Sequence, residues 1–236
     1  MLDARYDEQL SAAPHLALYP NLMPWVGAGF ASADLKVLLL GESHYLMETT
    51  TYHHDAEAWY AGVSLDTATD IGWMRTRSII RKGIELNWAG KSKTIYRNLS
   101  TELQRTGFGA GRAPFESLAY MNFFQRPAEK TGDSIQVKEV DRKVSSATVA
   151  HVVACLRPNL VVFCSKLAWR VASDEGLVLA LREKGIAVGN TPHPASAWWN
   201  RASKKRGGRN GRQVFNDLLK QSGFVAAAGQ ASGDSN

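Results

Sequence analysis

Cysteine is scarce in this chain: among 236 residues only Cys155 and Cys164 occur. Two thiols exclude a disulfide framework and a four-thiolate metal or iron–sulfur site within one chain. Both stand in apolar surroundings and read as core residues. Long apolar runs are missing as well. None approaches the roughly 20 residues of a membrane span, and the opening MLDARYDEQL is acidic and polar where a secretory signal is basic and then apolar. The expectation is a cytoplasmic protein. Complete phosphate-loop motifs are also lacking. Gly90-Lys91-Ser92 ends like one, but Glu85 stands at the required earlier glycine and no buried strand precedes it. Gly27-Ala28-Gly29 lacks a third glycine and lies before the first strand. His53-His54-Asp55 has no third ligand at a recognised spacing, so it reads as a solvated or helix-capping cluster. Neither a metal nor a cofactor is expected.

Negative charge is absent from one place in particular. The chain carries 28 Lys plus Arg against 22 Asp plus Glu, a formal charge of +6. Arg201, Lys204, Lys205, Arg206, Arg209 and Arg212 follow one another with no acid between them, and this stretch supplies the whole excess. A concentrated patch is the electrostatic footprint of an anion or nucleic-acid contact, and Trp198 and Trp199 stand just ahead of it. At 44% hydrophobic and 21% charged the rest has the composition of an ordinary globular domain. We read residues 1–225 as one domain with a partly helical insertion at about 46–90, lying over the sheet rim. The final 226–236, AAAGQASGDSN, is expected to be a disordered tail.

Four short apolar runs have strand length without clean polar alternation: Leu35 to Leu40, Leu118 to Phe124, Leu160 to Cys164 and Ile186 to Val188. Between them lie stretches of helical spacing, Ser92 to Arg105, Val137 to Leu156, Leu167 to Val171 and Leu177 to Lys184, the last stopped by Gly185. Alternating strands and helices predict an α/β fold with a parallel sheet, and such sheets bind ligands at the carboxyl ends of their strands. Three polar clusters occupy those ends: Gly41-Glu42-Ser43-His44-Tyr45, then Asn122 to Pro127, then Asn190 to Ser196.

Taken in order, these clusters resemble the uracil-DNA glycosylase superfamily. Gly41-Glu42-Ser43-His44-Tyr45 is similar to that family's leading motif, in which a strand ends in glycine and then Gln or Glu, with a catalytic carboxylate in or near the turn. Tyr120 to Pro127 (YMNFFQRP) resembles the segment whose Asn reads the pyrimidine edge. Arg157 to Phe163 with Ala168 looks like the third strand and its helix. His193-Pro194-Ala195-Ser196 resembles the His-Pro-Ser motif, followed by a basic loop and a helix near Val214-Phe215-Asn216. The resemblance covers roughly 35–45 and 115–222. It implies a three-layer α/β/α sandwich around a central four-stranded parallel sheet, and an enzyme that flips and excises a damaged or deaminated base from DNA. Ser43 stands where the best-known branch has Asp, His44 replaces the thermophile-type branch's Pro, and Ala195 replaces the usual Ser.

Breaking an N-glycosidic bond makes the sugar positive and the leaving base negative. A site then needs a carboxylate near the sugar and a donor near the base oxygen. The resemblance assigns the first role to Glu42 and the second to His193, with Asn122 matching a carbonyl and an adjacent N–H on the base. Gly41, Ser43, His44, Tyr45, Phe123 and Ser196 complete the expected base site, with Phe123, Phe124 or an aromatic of the 46–90 insertion stacking on the flipped ring. Trp198 and Trp199 are expected to wedge against bases, and the six cations to follow the phosphate backbone, with a salt slope of about −5. Each residue has a plainer alternative: Glu42 as a helix cap, Asn122 as a loop tie, His193 as a turn residue, the tryptophans as core, the basic run as a solvated loop. The competing functional reading is a nucleic-acid-binding module, DNA before RNA, on the same fold without glycosylase activity.

Overall fold

In the computed structural model, which describes residues 1–65, 68–109 and 111–224, the apolar runs become the strands of one sheet. In chain order the helices and strands are α1 (Asp7–Ser11), α2 (Pro14–Leu18), β1 (Trp25–Val26), β2 (Val37–Gly41), α3 (Ala56–Gly62), α4 (Ala68–Met74), α5 (Thr76–Glu85), α6 (Thr94–Arg105), β3 (Ala119–Asn122), α7 (Glu139–Leu156), β4 (Leu160–Phe163), α8 (Lys166–Asp174), α9 (Leu177–Glu183), β5 (Ala187–Asn190) and α10 (Gly211–Gln221). Every residue of β2, β3 and β4 is buried, which is why those runs show no alternation. Gly185, at φ +76°, stops α9 where a left-handed residue is needed.

The sheet order is β1-β3-β2-β4-β5. β3, β2, β4 and β5 run parallel, while β1 lies antiparallel on β3 through Trp25↔Tyr120 and Val26↔Ala119. The sheet is therefore mixed and five-stranded, not purely parallel and four-stranded. A two-residue strand has no periodicity to betray it, so β1 was invisible in the sequence.

Alternation along the strands divides the core. Leu38, Leu40, Met121, Val161 and Phe163 face one side, where α1, α2, α3, α7, α8 and α9 supply Leu10, Leu16, Trp59, Val152, Val171 and Val178. Val37, Leu39, Tyr120 and Val162 face the other, against Ile80 of α5, Leu99 and Leu103 of α6, and Phe215 and Leu219 of α10. Helices cover both faces, so only the strand ends are free for chemistry.

Arg126 is wholly buried yet fully engaged. Its guanidinium donates to Asp141 Oδ1 and Oδ2 at 2.9 and 2.8 Å, to Glu129 at 2.7 Å, and to the carbonyls of His53 and Gln136. Tyr60 Oη donates to the same Asp141 at 2.9 Å. This network ties the loop after β3 to α7 and to α3. The segment 46–90 holds α3, α4 and α5; the expected tail, 226–236, lies outside the described residues. No helix among the described residues is long and apolar enough to cross a membrane. Cys164 is buried as expected, and Cys155 is half-buried, 3.4 Å from His151 Nε2.

Candidate functional site

Gly41 and Asn122 end β2 and β3 as register partners. A Cβ at position 41 would stand 2.2 Å from both Asn122 Oδ1 and Tyr120 Oη, so only glycine permits the approach. Tyr120 Oη donates to Asn122 Oδ1 at 3.0 Å, which orients the amide and leaves Nδ2 as its donor. Burial holds the Tyr120 hydroxyl well above the usual phenol range, so it stays protonated.

The turn after β2 carries the carboxylate. Ser165 Oγ donates to Glu42 Oε2 and accepts from Ala168 N at 3.2 Å, so one hydroxyl caps α8 and fixes Glu42. Among the described residues Glu42 caps no helix; its backbone carbonyl accepts from Phe124 N at 2.8 Å. His44 is buried with Nε2 3.0 Å from Thr76 Oγ1, and burial pushes its pKa down to about 4. It is neutral and joins the turn to α5. Burial, with the charges of Glu42 and Asp133, raises the Tyr45 hydroxyl. Ser43 Oγ is buried without a hydrogen-bond partner among the described residues, and so is Ser196 Oγ.

After β5, Asn98 Nδ2 of α6 donates to Pro194 O at 2.8 Å, and Ser196 N donates to His193 O at 2.8 Å. These bonds hold the half-buried His193. Desolvation lowers its pKa from 6.5 while the Glu42 charge opposes the shift, so the ring is mainly neutral at pH 7.

One cleft of about 970 Å³ gathers the three clusters. Gly41 to Tyr45, Asn122, His193, Ser196, Trp198 and Arg206 all line it. Tyr96 and Tyr120 form part of its wall, Trp73 supplies the aromatic of the insertion that the sequence reading allowed for, and Lys93, Asp133, Lys166 and Arg170 add charges that sequence reasoning missed. A signal for two of them existed. The rule that ligands sit at strand ends was not applied to β4, whose end runs directly into Ser165 and Lys166, with Arg170 one helical turn on.

Several expected site residues lie elsewhere. Phe123 is fully buried, its ring 4.9 Å from Phe124 and 5.8 Å from Phe163 in the core beneath the cleft-lining strands, and it does not line the cleft. Phe124 is buried beside it, so neither ring is free to stack on a base. Trp199 is buried against Phe215 and Gly211 and cannot wedge against nucleic acid, whereas Trp198 is 51% exposed. The basic run divides as well. Arg209 pairs with Asp217 at 2.7 Å, and Arg212 Nε lies 3.2 Å from Glu102 Oε2, an ion pair without hydrogen-bond alignment. Arg201, Lys204, Lys205 and Arg206 pair with no acid among the described residues. The polar trio before α3 is a tether: Asp55 accepts from Ala58 N, while His53 and His54 lie on the carbonyls of Ala128 and Glu129.

No protein-family model matches the chain, and comparison with curated proteins gives no match. The site's own chemistry therefore has to carry the functional reading. It offers a positioned carboxylate, a neutral imidazole, an oriented amide donor and a cationic rim around a partly aromatic hollow.

Proposed function

We propose that the chain is a DNA glycosylase-like hydrolase on a three-layer α/β/α fold of the uracil-DNA glycosylase type. The observation that supports this most is the meeting of Glu42, Asn122 and His193, from the ends of three different strands, in one cleft. Asn122 Nδ2 donates to a carbonyl on the edge of a flipped base. The Glu42 carboxylate, with one oxygen held by Ser165, faces the sugar as positive charge develops at C1′. The C1′–N bond breaks with its electron pair leaving on the base, and neutral His193 donates a hydrogen bond to the base oxygen that receives the charge. Water then attacks C1′, and as the new C–O bond forms its proton passes to the Glu42 carboxylate and from there to the released base anion; the unpartnered Ser43 hydroxyl is a group that can hold that water. Acid–base assistance of this kind contributes about 10²- to 10⁴-fold, and the few kcal/mol needed to extrude the base come from the cations and Trp198 at the rim.

The Glu42–Ser165 bond and the serine at position 43 also favour a second reading, a nucleic-acid-binding module whose carboxylate is structural. A base-release assay over uracil-, hypoxanthine- and alkylated-base-containing DNA, single- and double-stranded, separates the two. The hydrolase reading expects release by the wild type and none by Glu42→Gln combined with His193→Ala. Binding without release of any base overturns it.

A further inference from the structure

A second groove of about 400 Å³ opens beside the cleft along α5 and the turn before α6. Gly72, Ile79 and Lys93 line both hollows, so they are continuous. Arg75, Arg81, Lys82 and Lys93 line the groove, and none of the described residues lining it is acidic. Arg81 reaches Glu85 only at 4.0 Å, with both side chains mostly exposed, and Arg75 rests on the neutral Asn21 amide at 3.3 Å. Burial and the charge of Lys82 lower the pKa of Lys93, whose ammonium stands 5.9 Å from the Tyr96 ring centre. Cations crowded together in this way repel one another, and a bound anion relieves the repulsion.

The anion has to be part of a chain. On the proposed function a single nucleotide seated by Asn122 would fill the cleft, and the groove continues from it past Gly72, Ile79 and Lys93. Trp73, 43% exposed, lines the cleft beside Gly72 and presents an aromatic face next to the cations. Aromatic surface beside a cationic track is the combination that binds single strands irrespective of sequence.

We propose that this groove holds the phosphodiester backbone of one nucleic-acid strand as it leaves the cleft, with Arg75, Arg81 and Lys82 on its phosphates and Trp73 against a base. The inference rests on the cleft being a nucleic-acid site, and it assigns the 46–90 segment the task of gripping the strand beyond the extruded base. It is independent of the basic loop at Arg201 to Arg206, none of which lines the groove.

The test compares wild type with the triple variant Arg75→Gln, Arg81→Gln, Lys82→Gln, by fluorescence anisotropy with labelled oligothymidylates of about 4 and about 20 nucleotides, which bracket a single-strand site. Binding of the long strand should weaken about tenfold, with a salt slope shallower by about 2, from 0.7 per lost phosphate contact. Binding of the short one should stay within twofold. Equal losses for both lengths, an unchanged long-strand affinity, or no wild-type binding to either strand overturns the proposal. All three side chains are exposed, so the fold should survive; a thermal melt checks this, and Lys82→Glu alone should give the same length dependence. Base release is measured in parallel. Length-dependent binding without release sinks the hydrolase reading and leaves the groove standing, whereas release with length-independent binding does the reverse.

Discussion

The Tyr120 hydroxyl donates to Asn122 Oδ1 at 3.0 Å, directly over the backbone of Gly41, where no side chain fits. The phenol occupies a lone pair of the amide oxygen and thereby turns the nitrogen into the group that meets a ligand. On the hydrolase reading, a base presenting a carbonyl should be accepted there, and one presenting an amino group should meet donor against donor.

Uracil should accordingly be released in preference to cytosine, and Asn122→Asp, which replaces the donor with an acceptor, should cost uracil about 1–3 kcal/mol of transition-state binding. Tyr120→Phe should narrow the uracil-to-cytosine ratio by freeing the amide to turn over. Competition between the two bases in otherwise identical oligonucleotides measures both effects. A ratio unmoved by either substitution would show that the amide does not read the base.

Gly41→Ala should be far more damaging than its one carbon suggests. The new Cβ would stand 2.2 Å from both Tyr120 Oη and Asn122 Oδ1, so the strand ends must part. Overpacking of this kind costs about 1–3 kcal/mol. Urea unfolding should show the lost stability, and base release should disappear with it.

Acid should act on the site and on the fold separately. On the hydrolase reading His193 acts as a neutral donor with its pKa lowered from 6.5, so kcat/KM should be level around pH 7 and fall as pH drops below 6.5, with the limb absent in His193→Asn. His15, His44 and His53 are pushed by burial to about 4, so the unfolded chain binds protons that the native one refuses. Their contribution is complete above pH 6.5 and is lost as pH falls from there through about 4. The urea midpoint should decline across that window, and His44→Phe should flatten part of the decline.

Removing one member of the Arg126–Asp141 pair should be among the most destabilising single changes in the chain. Asp141→Asn leaves a guanidinium with no exposure short of its main counter-charge, which costs about 3–5 kcal/mol. The double variant Arg126→Met, Asp141→Leu should recover part of that loss. A single variant as stable as wild type in denaturant would refute the assignment.

The basic loop should count for four charges rather than six in DNA binding. Replacing Arg201, Lys204, Lys205 and Arg206 with Ala should flatten the duplex salt slope by about 4, at 0.9 per phosphate contact. Replacing Arg209 and Arg212 should leave the slope nearly unchanged and lower stability instead, because they hold Asp217 and Glu102. Titrations at several salt concentrations distinguish these outcomes.

Much of the cleft was legible because parallel strands fix where chemistry can sit. Glu42 follows buried β2, Asn122 ends buried β3 and His193 follows half-buried β5, and the rule about strand ends brought them together. Phe123 and Trp199 misled for one physical reason: a ring beside a polar motif resembles a ligand platform until the alternation of the chain shows that it faces the core. The reduction of the loop's free charge from six to four was hidden because Asp217 lies eight residues beyond Arg209 on α10, and Glu102 meets Arg212 only through the packing of α10 on α6. Lys166 and Arg170 were overlooked although their spacing was in view, because β4 seemed to end in nothing polar but a serine.

That serine has a mechanical consequence. Since Ser165 donates to Glu42 and also caps α8, one hydroxyl couples the carboxylate to the helix that carries Lys166 and Arg170. On the hydrolase reading, an anion drawn toward those two cations should therefore shift the aim of Glu42 through that one hydroxyl, so that seating the substrate's charge and aligning the carboxylate would be a single displacement.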